Sequence, residues 1–129
     1  MKKVSVDIAK TIDITTRRND SFYLKIELSN DDGTIYDIVS ENGTNYLAYF
    51  EVYNSDELVL GFTSNSSAVA PTIASTITVV GSEASLVIES NAASMSMYSG
   101  TYKYKLYVYS ATDQETNTVM VGKFKVIDL

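Results

Sequence analysis

Two kinds of side chain in this 129-residue sequence are equipped for chemistry, its carboxylates and its tyrosines, and the residues it lacks narrow what either can do. There is no His and no Cys. Without imidazole the commonest general base and transition-metal ligand are gone, so a serine-protease-type triad cannot be assembled. Without thiols there is no disulfide, thiolate nucleophile or thiolate-bound metal, and stability has to come from the core. Sixteen Asp and Glu remain. A glycosidase needs two of them facing across a cleft, yet nothing in their placement selects a pair, and one small sandwich leaves little room for a deep cleft. Asp31 and Asp32 before Gly33, with Asp37 beyond, could attract calcium or sugar hydroxyls, but their spacing differs from an EF-hand loop. The expectation is a protein that is not an enzyme and has no cofactor and no metal.

The ten tyrosines are more informative. After Gly100 the chain alternates, with Tyr102, Tyr104, Leu106 and Val108 on one side and Thr101, Lys103, Lys105, Tyr107 and Tyr109 on the other, the pattern of a half-buried strand. Tyr46 to Tyr53 alternates in the same way, placing Ala48, Phe50 and Val52 opposite Leu47, Tyr49, Glu51 and Tyr53. If the two strands pair, Tyr49, Tyr53, Tyr107 and Tyr109 make an aromatic outer face with Lys103 and Lys105 beside it. These six are the expected protein-interface residues, because tyrosine buries area while keeping a polar end. The alternative use of the same rings is stacking on sugars, as in a carbohydrate-binding or adhesin-like module.

Charge adds a second pattern. The net charge is −6. No Lys or Arg lies between Lys25 and Lys103, an interval holding ten acids. That segregation suggests electrostatic complementarity between the terminal region of one copy and the middle of its neighbour, and it argues against a nucleic-acid groove, which needs clustered cations. No run is long enough for a membrane helix, and Val4-Ser5-Val6-Asp7 does not suit a signal peptide. The sequence is read as soluble and synthesised in a cytoplasm, with no nucleic-acid or membrane partner.

The elements that must position these residues are short strands. Phe22, Leu24, Ile26 and Leu28 alternate cleanly, and Asp32-Gly33 and Glu41 to Thr44 mark turns around a short strand at Ile35 to Val39. Leu58 to Phe62 completes a hairpin with Tyr46 to Tyr53, and the uncharged stretch Thr63 to Thr76 reads as a long loop suited to a contact arm. Ile77 to Val80 and Leu86 to Glu89 are further strands. Ser90 or Asn91 would cap a helical turn closed by Gly100, Met95 and Met97 would plug the core, and Thr118 to Ile127 is the last strand, with Gly122 as a bulge. The class is all-β: an Ig-like antiparallel β-sandwich of about 7–9 short strands with one helical turn near 91–98, an N-terminal arm or edge strand at 1–16, and a single domain at 17–129.

Gly100-Thr101-Tyr102-Lys103-Tyr104 has the spacing of the tyrosine corner of immunoglobulin-like domains, with Tyr102 turning its hydroxyl back onto the preceding connection. Tyr104 stands where antibody-type domains carry Cys, and no Trp is present. Over nearly its whole length the chain resembles the small β-sandwich virion proteins of tailed bacteriophages, as at the N-terminus of baseplate upper proteins. The resemblance is carried by Arg18-Asn19-Asp20-Ser21-Phe22, Leu24-x-Ile26-x-Leu28, Asp32-Gly33, Asp37-Ile38, Phe50-Glu51-Val52, Ser99 to Tyr104 and Gly122 to Asp128, in that order. Asn19 stands where the resemblance would put the glycine of the family's turn, and the larger members' extension towards receptor-binding modules is not expected here. The resemblance implies a virion structural protein such as a capsid decoration, head-fibre anchor or tail adaptor. Its partners would be other virion proteins and copies of itself, as a homo-oligomer or repeated copies on a particle.

Overall fold

The computed structural model of the chain describes residues 2–5, 10–29, 46–80, 84–110 and 115–128. The expected turns at Asp32-Gly33 and Glu41 to Thr44 and the strand at Ile35 to Val39 lie outside these residues. Each alternating segment within them forms a strand: β1 (Lys2–Ser5), β2 (Lys10–Thr11), β3 (Ile14–Arg17), β4 (Phe22–Ser29), β5 (Tyr46–Asn54), β6 (Glu57–Thr63), β7 (Thr72–Ile73), β8 (Ile77–Val80), β9 (Ser85–Ser90), β10 (Gly100–Ser110) and β11 (Glu115–Ile127). Leaving aside the two-residue strands β2 and β7, nine remain among the described residues, within the range read from the sequence.

The strands form two sheets, one ordered β1-β4-β9-β8 and the other β2-β11-β10-β5-β6-β7, with β3 also on β11. This is the strand order of a variable-type immunoglobulin sandwich, in which two extra strands extend the sheet holding the last hairpin. The long ladders are antiparallel, whereas β1 on β4, β2 and β3 on β11, and β7 on β6 are parallel. The N-terminal segment thus contributes strands to both sheets.

Alternation dictates what faces inward. Phe22, Ile26, Leu28, Leu86 and Ile88 of the small sheet meet Phe50, Val52, Phe62, Leu106, Val108, Met120 and Phe124 of the large one, all buried. All four phenylalanines of the chain converge there. Phe22 lies 6.0 Å from Phe50, 5.9 Å from Phe62 and 5.7 Å from Phe124 between ring centroids, the last edge to face. Such tilted and edge contacts add stabilisation beyond buried area.

The tyrosine corner is present: the Tyr102 hydroxyl donates to the Tyr98 carbonyl at 2.7 Å. The turn before β4 carries Asn19 at φ 64, a left-handed conformation that Asn tolerates far better than most residues and that glycine would otherwise fill. Asn91 caps a 3-10 turn over Ala92–Ser94 that ends at Met95 rather than reaching Gly100, and Met95 is buried in the core. The stretch from Thr63 to Thr76 is more structured than a loop. It contains β7 and is tied to β6 by Gly61 N–H to Pro71 O and by Thr76 N–H to Thr63 O. The bulge of β11 falls at Val119, skipped where Leu106 and Tyr107 of β10 pair with Met120 and Thr118, not at Gly122.

Gly122 has another task. A methyl group there would run into the Ile12 carbonyl, because the break between β2 and β3 lies directly against it. Ile12 donates its N–H to Val121 O at 2.9 Å, Tyr104 O–H donates to the Ile12 carbonyl, and Asp13 Oδ1 accepts the Lys123 N–H at 3.0 Å. Both this contact and the positive φ of Gly122, 159°, oppose a side chain at the position. We expect Gly122→Ala to lower the urea midpoint; an increase would show that the arm does not press on this position. Phe22→Ala is expected to cost about 3–5 kcal/mol in the same measurement.

Candidate protein-interaction face

The outer surface of the large sheet follows from the inner one. Since Phe50 and Leu106 face the core and pair across β5 and β10, their neighbours Tyr49 and Tyr107 must pair on the outside, as do Glu51 with Lys105 and Tyr53 with Lys103. The Tyr49 and Tyr107 rings stack, with centroids 5.1 Å apart and planes inclined by 17°. Lys105 Nζ lies 4.9 Å from the Tyr107 ring centre and 5.9 Å from that of Tyr53, so one ammonium serves two π-faces. The Tyr53 hydroxyl donates to Glu51 Oε1 at 2.6 Å, and Asn65 Nδ2 donates to the Tyr49 hydroxyl at 3.4 Å. Five of the six expected interface residues thus come together around β5 and β10. Tyr109 sits further along the same face opposite Leu47.

These tyrosines are half-buried against one another rather than free-standing; the most exposed tyrosines described are Tyr98 and Tyr23. Burial, followed by the hydrogen bond to Glu51 and its charge, pushes Tyr53 up to about 12. Burial and then the charge of Glu51 raise Tyr107 further above the ordinary phenol value. Tyr104, inside the sheet, is raised by burial and then by Asp13.

Two open depressions flank Lys103. One, about 350 Å³, is lined by Tyr53, Ser55, Asp56, Lys103, Tyr104 and Lys105. The other, about 510 Å³ and mainly apolar, lies beside Gly122 and includes Thr11, Val121 and Lys123. Neither presents a nucleophile held by a base, and among the described residues no group of three acids gathers at metal-binding distance. No described helix is long and apolar enough to cross a membrane. The arrangement suits surface recognition: a rigid aromatic pair, hydroxyl ends and a rim of ammonium groups.

No protein-family model matches the chain, and no curated protein matches it. What the face does has therefore to be argued from its own side chains.

Sequence reasoning missed four contributors. Alternation turns Glu51 outward, but its part in holding Tyr53 depends on the β5 backbone bringing residues two apart onto one face. Lys123 and Lys125 alternate with the buried Phe124 and Val126, which signals that they point outward, yet only the β10–β11 register puts Lys123 beside Lys103. Arg17 joins them through the parallel pairing of β3 with β11.

The raised phenols set a pH dependence. At a pH below the ordinary phenol value of 10.0, Tyr53 is protonated in folded and unfolded chains alike and its contribution is intact. Above it the unfolded chain releases protons that the fold retains, so stability falls as pH rises through about 12. We expect the urea midpoint to drop over that window and phenolate absorbance to show a late-ionising group of tyrosines. Glu51→Gln should bring Tyr53 and Tyr107 down while leaving Tyr104 late. Simultaneous ionisation of every tyrosine in the native protein would contradict this.

Proposed function

We propose that this chain is a non-enzymatic bacteriophage virion structural protein, a β-sandwich assembly module attached to the capsid, as a decoration or head-fibre anchor, or to the tail. It acts through protein-protein contacts at the outer face of β5 and β10. The observation that carries the assembly reading is the stacked Tyr49 and Tyr107 pair, with Lys105 over Tyr107 and Glu51 bound to the neighbouring Tyr53. Rings already held by their neighbours lose little freedom when a partner covers them, which is the property of an interface anchor. The virion assignment rests on the ordered resemblance from Arg18 to Asp128. Partners are other virion proteins and further copies of the chain.

The sugar-binding alternative needs open ring faces. Here the mutual stack takes one face from each of two rings, and the Lys105 ammonium occupies space above Tyr107 and Tyr53. That favours a protein partner.

The test is incorporation into particles. Tyr49→Ala combined with Tyr107→Ala should reduce the chain's occupancy on purified virions about tenfold or more, since paired aromatic anchors are worth roughly 2 kcal/mol or more. Unchanged occupancy would remove the face from the proposal, and absence of the unaltered chain from virions would remove the virion role. Glycan binding lost with the same substitutions would favour the sugar alternative.

A further inference from the structure

Three depressions lie side by side on the outer face of the large sheet. The first, about 350 Å³, is bordered by Tyr53, Asp56 and Lys103. The second, about 510 Å³ and mainly apolar, shares Lys103 with the first and runs over Val121 and Gly122. The third, about 260 Å³, shares Asp13 and Lys123 with the second and continues past Lys125. Since each shares walls with the next, they form one trough that crosses β5, β10, β11 and β3 instead of following a strand. Neighbouring strands are about 4.8 Å apart, so the trough runs for roughly 15 Å, the length of about four or five extended residues.

The chemistry of the trough changes between its floor, its rim and its ends. Lys103 and Lys123, both exposed, stand directly opposite each other in the β10 and β11 ladder, and exposed Lys125 follows on the same face. Like charges so placed destabilise a strand pair, and an anion between them relieves the repulsion. Lysine stems lie along apolar surface and carry their ammoniums to the rim, which leaves Val121 and Gly122 as an uncharged floor. A ligand that matches both levels points an apolar side chain down and has carboxylates beside it at the rim. Acids stand towards both ends: Asp56 borders the first depression, and Asp13, whose Oδ1 accepts the Lys123 N–H, borders the last. A phosphodiester chain, charged at every step, would run into both, and the net charge of −6 would repel it at long range. A peptide can confine its charges to the middle.

We propose that this trough holds a short, extended acidic segment of a partner protein, lying across the strands with an apolar side chain over Gly122 and carboxylates against Lys103 and Lys123. The segment crosses the sheet and adds no strand to it, so recognition is by side chains and charge. This rests on the reading of the outer face as a protein-binding surface and supplies the chemistry of the partner. The stacked Tyr49 and Tyr107 lie further along β5 and β10, outside the trough, so the two contacts can be tested separately.

The experiment titrates the purified full chain into a short labelled peptide of alternating glutamate and leucine, reading fluorescence anisotropy at low and high salt. Binding that weakens with salt is expected. A peptide with glutamine for glutamate, and one with glycine for leucine, should each bind about tenfold or more weakly, and Lys103→Gln with Lys123→Gln should weaken the original peptide as much. This variant loses a like-charged cross-strand pair, so its melting temperature should be at or above that of the unaltered chain. Acetylation of the unaltered chain gives a second reading: saturating peptide should slow modification of Lys103 and Lys123 relative to Lys25 of the small sheet. No binding of the first peptide, equal binding of its glutamine or glycine counterpart, unchanged affinity in the variant, or no protection of the two lysines would each overturn the proposal. So would tighter binding of a double-stranded oligonucleotide or an oligogalacturonate through the same lysines. Normal occupancy of the lysine variant on virions, where Tyr49→Ala with Tyr107→Ala lowers it, would overturn this partner and keep the aromatic contact, whereas peptide binding by a chain absent from virions would overturn only the virion role.

Discussion

The contact on which the structure depends is made by one side chain of the small sheet. Phe22 reaches across the sandwich to Phe50, Phe62 and Phe124, which stand on three different strands of the large sheet. Those strands cannot slip by one residue without turning a phenylalanine to water and a polar neighbour to the core, so the inner cluster fixes the outer face as well. Tyr49, Glu51 and Tyr107 are held where they are by the burial of the residues between them. The placing of the outer tyrosine face is thus a by-product of core packing.

Much of this was legible because it is periodic. The inward set Ala48, Phe50, Val52, Tyr104, Leu106 and Val108 is buried as alternation predicts, and the Gly-x-Tyr spacing led to the hydroxyl bond from Tyr102 to the Tyr98 carbonyl. The aromatic outer face requires β5 to pair with β10, and the register meets that requirement with Tyr49 beside Tyr107. What escaped was non-local. Nothing near Gly122 announces that its missing side chain makes room for a backbone more than a hundred residues earlier. A serine- and threonine-rich stretch such as Thr63 to Thr76 looks like a loop because its order comes from side chains bonding to backbone: Thr63 Oγ1 donates to Ala48 O, and Thr76 Oγ1 donates to Ile73 O. The parallel edge pairings likewise depend on where the chain crosses between sheets, which local pattern does not encode.

The charge pattern shows the same division between what is written along the chain and what the fold assembles. An acidic middle is visible by inspection, but the cations that share the outer face of the large sheet come from three separate segments. Neighbouring strands turn Lys103 and Lys123, twenty residues apart, into adjacent charges on one surface. A net charge of −6 therefore conceals a local gathering of lysines on the outer face of the large sheet.

The N-terminal segment carries one more implication, a mechanical one. β3 runs parallel to β11 along Ile14 to Arg17, and hydrogen bonds at Ile12 and Arg18 extend the connection at both ends. Tension applied to the chain before β2 and after β11 would pull these neighbours along their own length in opposite directions. The bonds between them would then share the load together instead of parting one at a time, as they would in a hairpin pulled from its open end. Along this edge the parallel pairing sets the bonds in a shear arrangement, side by side across the direction of pull.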